Sequence, residues 1–560
     1  MPQRGPRVSS VETVLLVGLA AWALFPLVLL LVHAGHLHAR FTGADGLIGA
    51  DGVLGADQLQ YLAWARDAGA HGGLTSDLFN FSQGGHVYLQ PMFAISGALY
   101  RLGLSLPLSY LLWKVVGILA LGLASVAWAR RFFGEQLLAR AAVVTIALFL
   151  CTPLAALYSW TQWGSGSFRF SLYLLGDELL AADKLWGYVA SAIGLALVPV
   201  ALLAIERALE PDRGTASTLR PRRGPIVAGR AMRPSRPARR RSVAPAPLAV
   251  AGISALIASW LHPWQGITLG LIFVGLAVLR RLRGWAALAV PAIGAGLPLL
   301  YYDLLSHHDV AWRLASQHEV IARLPGIVLL AGLGPLALIA ACGVRRPDGE
   351  LAEQALLLWL GACFVTYFAN DAFAPHALQG LSLPFAVLAV RGWRRLRLPA
   401  LIGAAALALV TIPGLAFNAR KFVRTASSDK LVQYYLPQSD GQALDWVSAH
   451  APPGGVLAPT PFAAVVPSQT GRPVWVGHGY WSQDYPVQAH EANRLFGGHL
   501  PAAAARSFVA STGAAILISD CRHPADLTRK LGATVRAVHQ FGCARVYVLT
   551  RAQPVRSASR

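Results

Sequence analysis

The chain has 560 residues, of which 55% are apolar and only 13% charged, with a mean hydropathy of +0.49. Soluble proteins carry about 25% charged residues, so a water-soluble enzyme of this length is excluded, as are disordered, collagenous and disulfide-scaffold classes. The formal charge of +21 collects in short connections between apolar segments; this is the pattern of membrane orientation rather than of nucleic-acid binding, and no zinc spacing, Walker loop or RNA-binding signature accompanies it.

In chain order, the first apolar span covers 11–32 behind Arg4 and Arg7 and reads as an uncleaved anchor with its N-terminus inside. A long first outer loop, 35–107, follows. Within it Asp45 and Asp51 each stand next to Gly, which is turn chemistry. The stretch from Asp57 to Gly69 places Leu59, Leu62 and Ala63 on one face, with Arg66 and Asp67 beside them. That spacing predicts an amphipathic helix lying in the membrane interface, with Asp57 just ahead of it as either a functional carboxylate or a helix cap. Gly84 to Phe93 follows, with Tyr88 and Pro91, and then a second amphipathic stretch to Leu104.

Further spans are expected near 108–129, 138–158, 185–206, 247–262, 264–279, 285–302, 326–343, 351–369, 377–390 and 398–417, about eleven in all by hydropathy. Alternate turns are basic: Arg130, Arg131 and Arg140; Arg280, Arg281 and Arg283; Arg345 and Arg346; Arg391, Arg394, Arg395 and Arg397. One missed helix would scramble that alternation. The segment 207–247, rich in Arg, Pro, Gly and Ser, reads as a disordered cytoplasmic loop able to meet anionic lipid. An odd number of spans leaves 418–560 outside as a small α/β domain. Its β-type runs are Gly455–Ala458, Val474–Val476, Ala515–Ser519 and Arg545–Leu549, and its helical stretches Gly441–His450, Pro501–Ser511 and Ala525–Leu531. Cys521 and Cys543 fall in that domain, where an oxidising compartment permits a bridge between them.

The spans themselves are nearly empty of charge, Lys114 being the main exception. Transporters mark their path with intramembrane ionisable groups, so chemistry is expected in the outer loops. The second outer loop, 159–184, supplies Trp160, Trp163, Arg169, Asp177, Glu178, Asp183 and Lys184. A tight outer turn holds His262 between Trp260 and Gln265. The loop 303–325 carries His307, His308, Arg313, His318, Glu319 and Arg323, and a later turn Asn370, Asp371 and His376. In the outer domain, Thr470–Trp481 joins aromatics to Arg472 and His478, a mixture suited to sugar recognition or to packing against the membrane part.

These features together resemble the polyprenyl-phosphate-dependent membrane glycosyltransferases of the GT-C fold, such as protein O-mannosyltransferases, aminoarabinose transferases and the oligosaccharyltransferase catalytic subunit. The likeness rests on one span followed by a long outer loop, an Asp before a Tyr-containing helix, and the segment Tyr88–Pro91. An acidic second outer loop and an outer C-terminal domain complete it. Several relatives show AspGlu where this chain has Asp57–Gln58.

The resemblance implies inverting transfer of a sugar from a polyprenyl-phosphate donor to a hydroxyl of a glycan, lipid or protein acceptor, on the outer face of the cytoplasmic membrane. Asp57 is then the general base. Arg313, Arg323, His262 and Lys184 are candidates for the donor phosphate, since a leaving phosphate needs cations. Asp177, Glu178, Trp163, Tyr88 and His478 are candidates for the sugar or acceptor. Asp177 and Glu178 are also the candidate ligands of a divalent cation, Mg or Mn, although no complete ligand set is visible. Two other readings stay open: a polysaccharide polymerase or ligase using the same kind of donor, and a non-catalytic flippase or envelope-assembly protein.

Overall fold

A computed structural model describes residues 9–46, 53–81, 85–154, 157, 161, 166–209, 244–281, 284–318, 323–345, 350–428 and 431–550. Helix α1 (Ser10–His36) opens with a capping box, in which the Ser9 hydroxyl accepts the Glu12 N–H and the Glu12 carboxylate accepts the Ser9 N–H. The long loop that follows contains β1 (Arg40–Phe41), α2 (Val53–Ala70), β2 (Leu74–Thr75), β3 (Tyr88–Leu89) and α3 (Pro91–Arg101), before α4 (Leu106–Phe133) re-enters the bundle. Among the described residues seven helices are long and apolar enough to cross a membrane: α1, α4, Val189–Leu209, Trp285–His308, Gly326–Gly343, Leu351–Ala369 and the stretch Ala400–Ala426. Three shorter apolar helices are α5 (Leu137–Phe149), Pro245–Leu261 and Pro263–Leu279. The chain is a multi-pass helical membrane protein.

Every hydropathy segment has a helical counterpart, but the one expected at 377–390 is not continuous. A 3-10 turn at Ala374–Leu378 precedes Gly380, which takes φ +90°, and the helix begins only at Ser382. The last stretch runs to Ala426, so the domain boundary expected after residue 417 falls inside a helix. The loop expected at 207–247 lies mostly outside the described residues.

The two ends of the bundle differ in chemistry. At one end the basic turns meet buried acids: Arg130 pairs with Glu12 at 2.6 Å, Arg391 with Glu353 at 2.5 Å, and Arg131 with Glu206. At the other end the long loop after α1 is sewn into the C-terminal domain. Strand β1 pairs antiparallel with β4 (Tyr435–Leu436), and Arg40 meets Asp445 at 2.5 Å.

Helix α2 departs from the sequence expectation in two ways. It starts at Val53, so Asp57 lies inside the helix and is not its cap. It also presents no open apolar face, because most of its side chains are covered by protein. Gln58, Leu59, Gln60, Leu62, Ala63, Trp64, Ala65, Asp67 and Ala68 are all buried. Its far side is covered by the C-terminal domain, where Arg66 donates to the Ser468 and Gln469 carbonyls at 3.2 and 2.8 Å. The near side packs on α3 at a crossing so close that a Cβ on Gly97 would lie 2.4 Å from the Gly69 nitrogen. Burying large apolar side chains such as Leu59 and Leu62 stabilises this roof by about 1.5–3 kcal/mol each.

The C-terminal domain is built on a mixed sheet in the order β5 (Val456–Leu457), β6 (Ile516–Ser519), β8 (Ala544–Leu549), β7 (Val535–Phe541), with β5 and β6 parallel and the other pairs antiparallel. Helices Gln438–His450 and Ala502–Thr512 occupy two of the three expected helical stretches. In the third only Thr528–Leu531 is α-helical. The run expected at Val474–Val476 forms only an isolated bridge between Val474 and Val456. Strand β7 was not expected; its alternating burial reflects a sheet face open to solvent. A disulfide joins Cys521 to Cys543, which closes the β7–β8 hairpin onto the loop after β6.

Candidate functional site

The site forms where the roof meets the bundle. Asp57, one turn into α2, presents its carboxylate to two donors. The Tyr188 hydroxyl lies 3.0 Å from Oδ2, and His478 Nε2 lies 2.9 Å from Oδ1. His478 is buried, and its Nδ1 accepts the Tyr480 backbone N–H at 3.1 Å. A ring nitrogen that accepts an N–H carries no proton itself, so the proton resides on Nε2 and the imidazole donates to Asp57. Burial pushes the Tyr188 phenol well above its usual range, and the charge of Asp57 pushes it the same way, so it too remains a donor.

Each partner is held by a specific local device. Tyr188 follows Gly187, whose φ of +105° is a conformation that L side chains rarely adopt. The His478 turn is tied to the long loop after α1 through Ser482, whose Oγ donates to the Phe79 carbonyl at 2.9 Å and accepts the Gly477 and His478 N–H groups at 3.1 and 3.2 Å. Val474 N–H adds a bond to the Leu78 carbonyl at 2.9 Å.

A second cluster lies beside the first. The 3-10 turn Ala181–Leu185 leads directly into Trp186, Gly187 and Tyr188, so Lys184 and Tyr188 flank one turn of chain. Lys184 Nζ lies 2.9 Å from Asp177 and 3.5 Å from Glu178. Glu178 also accepts from His376 Nδ1 at 2.9 Å and from Gln379 Nε2 at 2.6 Å. Burial alone would raise the Glu178 carboxyl, but Lys184, His376 and Gln379 outweigh it and hold it below the carboxylate range. Asp183, bonded to Trp22 Nε1 at 3.0 Å and to Asn418, is pushed up by burial and by Asp177. His262 packs its ring 5.5 Å from that of His376, and burial drives it toward the neutral form.

This arrangement does not fit the divalent cation expected at Asp177 and Glu178. The Lys184 ammonium already faces both carboxylates, and His376 and Gln379 take the Glu178 oxygens. Asp45, read from sequence as a turn residue, is likewise a buried partner of a lysine, 2.5 Å from Lys114 Nζ. Lys114 completes its donors on the Ala23 and Leu185 carbonyls at 2.9 and 2.8 Å. Burial raises the Asp45 carboxyl to about 6, against the opposing pull of Lys114.

An aromatic wall joins α2 to the turn that carries His478. Trp64 meets Tyr88 and Trp481 edge-on at 5.0 and 5.2 Å, and Trp312 meets Tyr88 and Trp481 at 4.6 and 5.2 Å. Tyr88 is thus buried in this wall. Arg313 follows Trp312, but its guanidinium turns away to the His307 carbonyl at 2.6 Å. Arg323 is engaged by Asp371 at 2.5 Å and the Phe368 carbonyl at 2.8 Å. Trp163, Trp160 and Asp51 lie outside the described residues.

The structure therefore brings Asp57 and His478 together, gathers Lys184, Asp177, Glu178 and His262 in the adjoining cluster, and leaves Arg313 and Arg323 on local partners. Sequence reasoning missed Tyr188 and Ser482 altogether, and it gave His376 no partner. The one available signal was Tyr188 at the end of a span behind a Gly, which is indistinguishable from an interfacial belt aromatic.

Among solved structures, the chain is similar to ArnT from Cupriavidus metallidurans bound to undecaprenyl phosphate, with 14% identity, a TM-score of 0.48, and coverage of 96% of this chain and 98% of that one. It is also similar to the Archaeoglobus fulgidus oligosaccharyltransferase in complex with Zn and sulfate, at 12% identity and a TM-score of 0.41, over 93% of this chain and 69% of that one. The same archaeal enzyme, AglB, in complex with an inhibitory peptide and a dolichol-phosphate, gives 13% identity and 0.38 over 93% and 71%. No family model and no curated protein matches the sequence.

Proposed function

We propose that this protein is a membrane glycosyltransferase that moves a sugar from a polyprenyl-phosphate donor to an acceptor hydroxyl, with inversion, using Asp57 as the general base. The observation that carries this reading is the Asp57 carboxylate, held between the Tyr188 hydroxyl and His478 Nε2 at the junction of the bundle and its outer roof. The carboxylate is 16% exposed, so it is restrained yet reachable by a hydroxyl.

His478 is not the base, because its Nδ1 lone pair is used by the Tyr480 N–H and its Nε2 carries the proton. Tyr188 and His478 orient the carboxylate. The acceptor hydroxyl gives its proton to Asp57 as its oxygen bonds to the anomeric carbon. The bond from that carbon to the phosphate oxygen breaks, and polyprenyl phosphate leaves with the electron pair. A positioned base contributes roughly 10²- to 10⁴-fold. Apolar flanks of the wall around Trp312 and Trp481 suit the face of a sugar ring. The basic end of the bundle, where Arg130 and Arg391 meet buried acids, supports a cytoplasmic N-terminus and an outer position for the roof.

The test is transfer by purified protein from a panel of radiolabelled polyprenyl-phosphate sugars, wild type beside Asp57→Asn. Turnover by wild type and its loss in the variant are expected. Turnover by both would remove Asp57 as base, and no turnover from any donor by protein shown to be folded would count against the transferase reading.

A further inference from the structure

We propose that Asp67, His71 and His86 form a binding site for a nitrogen-preferring divalent metal, zinc being the probe of choice, that fastens the C-terminal end of α2 to the β2–β3 ribbon. The potential ligand atoms of these three residues all lie within 4.8 Å of one another. His71 Nδ1 is 2.8 Å from Asp67 Oδ1, and His86 Nε2 is 3.4 Å from the same oxygen. The two imidazole rings stand 3.6 Å apart. Two rings so close, both aimed at one carboxylate oxygen, are better served by a cation among the three than by competing hydrogen bonds.

The chain builds the site from different elements. Asp67 and His71 are four apart at the end of α2, the spacing that puts two side chains on one helical face. His86 comes from the strand side, two residues ahead of Tyr88 in β3. Asp67 is buried, and its second oxygen is fixed by the Ser76 N–H at 2.8 Å and the Ser76 hydroxyl at 3.3 Å. His71 Nδ1 also lies 3.1 Å from the Asp67 carbonyl, a contact that metal binding would replace. Both imidazoles are partly open to solvent, so an ion has an entry path.

The donor set decides the class of metal. Two imidazoles and one carboxylate suit zinc, nickel or copper, whereas magnesium and calcium require mostly oxygen ligands. Three protein ligands leave one tetrahedral position for water. The site is not the centre of the proposed reaction. Asp67 lies on the order of 15 Å along α2 from Asp57 at 1.5 Å per residue. Its consequence is mechanical: the ribbon that carries Tyr88 into the aromatic wall is held to the helix that carries Asp57. The inference does not depend on the transferase reading.

The experiment uses the full chain in detergent, tag removed, stripped with EDTA and passed into metal-free buffer, then titrated with zinc against a chromogenic chelator. Wild type is expected to take up one tight equivalent per chain. His71→Gln with His86→Gln together should weaken that equivalent at least 100-fold, and each alone at least 10-fold, while His450→Gln in the outer domain leaves it unchanged. Zinc bound as tightly by the double variant as by wild type would overturn the site, as would the absence of a tight equivalent in wild type. Should the double variant fail to fold, cobalt added to stripped wild type decides the matter. Visible absorption of a four-coordinate centre is expected, and its absence overturns the proposal. Hydrogen exchange in Leu74, Thr75, Tyr88 and Leu89 should slow with zinc in wild type only.

Discussion

Asp57 and His478 are 421 positions apart in the chain, yet their side chains meet at 2.9 Å, with the imidazole as donor. The contact joins the long loop after α1 to the last domain, so a change in either should be felt at the carboxylate. Asp57→Asn keeps an acceptor for His478 but removes the proton acceptor, and transfer should fall about 10³-fold. His478→Ala should cost about 10- to 100-fold in turnover with little change in donor KM, because it frees the carboxylate without removing it. His478→Gln, which restores an N–H donor, should lose less than His478→Ala. Equal loss in the two would mean that packing rather than donation is what His478 provides.

Lys114 tests a different kind of dependence. Its ammonium is buried with Asp45 at 2.5 Å and two backbone carbonyls. Lys114→Met leaves an unpaired buried carboxylate, which costs about 3–5 kcal/mol. Adding Asp45→Asn should return most of that loss, and the two changes should be strongly non-additive in a thermal-unfolding cycle. Additive effects would show that the pair is not coupled.

The bundle was legible because spans need length and apolar content and little else, and because the arginines mark alternate turns. Asp57 and His478 were each singled out from local sequence, one at the head of a patterned helix and the other among aromatics. Their contact was not legible, since nothing local encodes a pairing across most of the chain. The burial of α2 was misread for the same reason. Its polar residues Gln58 and Asp67 look solvent-facing on a helical wheel, but Gln58 lies against Gly187 and Asp67 is held by Ser76. At Asp177 and Glu178 the acids were visible in the sequence, but not that Lys184, seven and six residues further on, folds back to face them across the 3-10 turn. Removing that charge with Lys184→Met should therefore destabilise the protein, whereas Lys184→Arg, which keeps the charge, should destabilise it less. Thermal unfolding of the two variants measures the difference.

The disulfide between Cys521 and Cys543 closes a loop with a sequence separation of 22. Removing it with paired Cys→Ser changes should lower the stability of the C-terminal domain by about 3 kcal/mol through the added freedom of the unfolded chain. The bundle should keep its own unfolding transition in the same calorimetric scan. A single transition shifted as a whole would show instead that the two parts unfold together.

Asp77 gives the pH dependence. Burial pushes its carboxyl up to about 8, the nearby Asp309 adds to the rise, and the Phe79 N–H at 2.7 Å opposes it. An unfolded chain releases this proton at the ordinary value of 3.8. Between those two pH values the folded state holds a proton that the unfolded state has lost, so stability falls as pH rises through the window, by at most about 1.4 kcal/mol per pH unit. Below the window both states are protonated and the dependence vanishes; above it both are ionised and the full penalty is present. Asp77→Asn keeps an acceptor for the Phe79 N–H but cannot ionise. The unfolding temperature of wild type should therefore drop more than that of the variant between pH 5 and about 8, and parallel curves would show that Asp77 does not carry the dependence. Because Phe79 also accepts the Ser482 hydroxyl that anchors the His478 turn, the loss of turnover at alkaline pH should be smaller in Asp77→Asn as well.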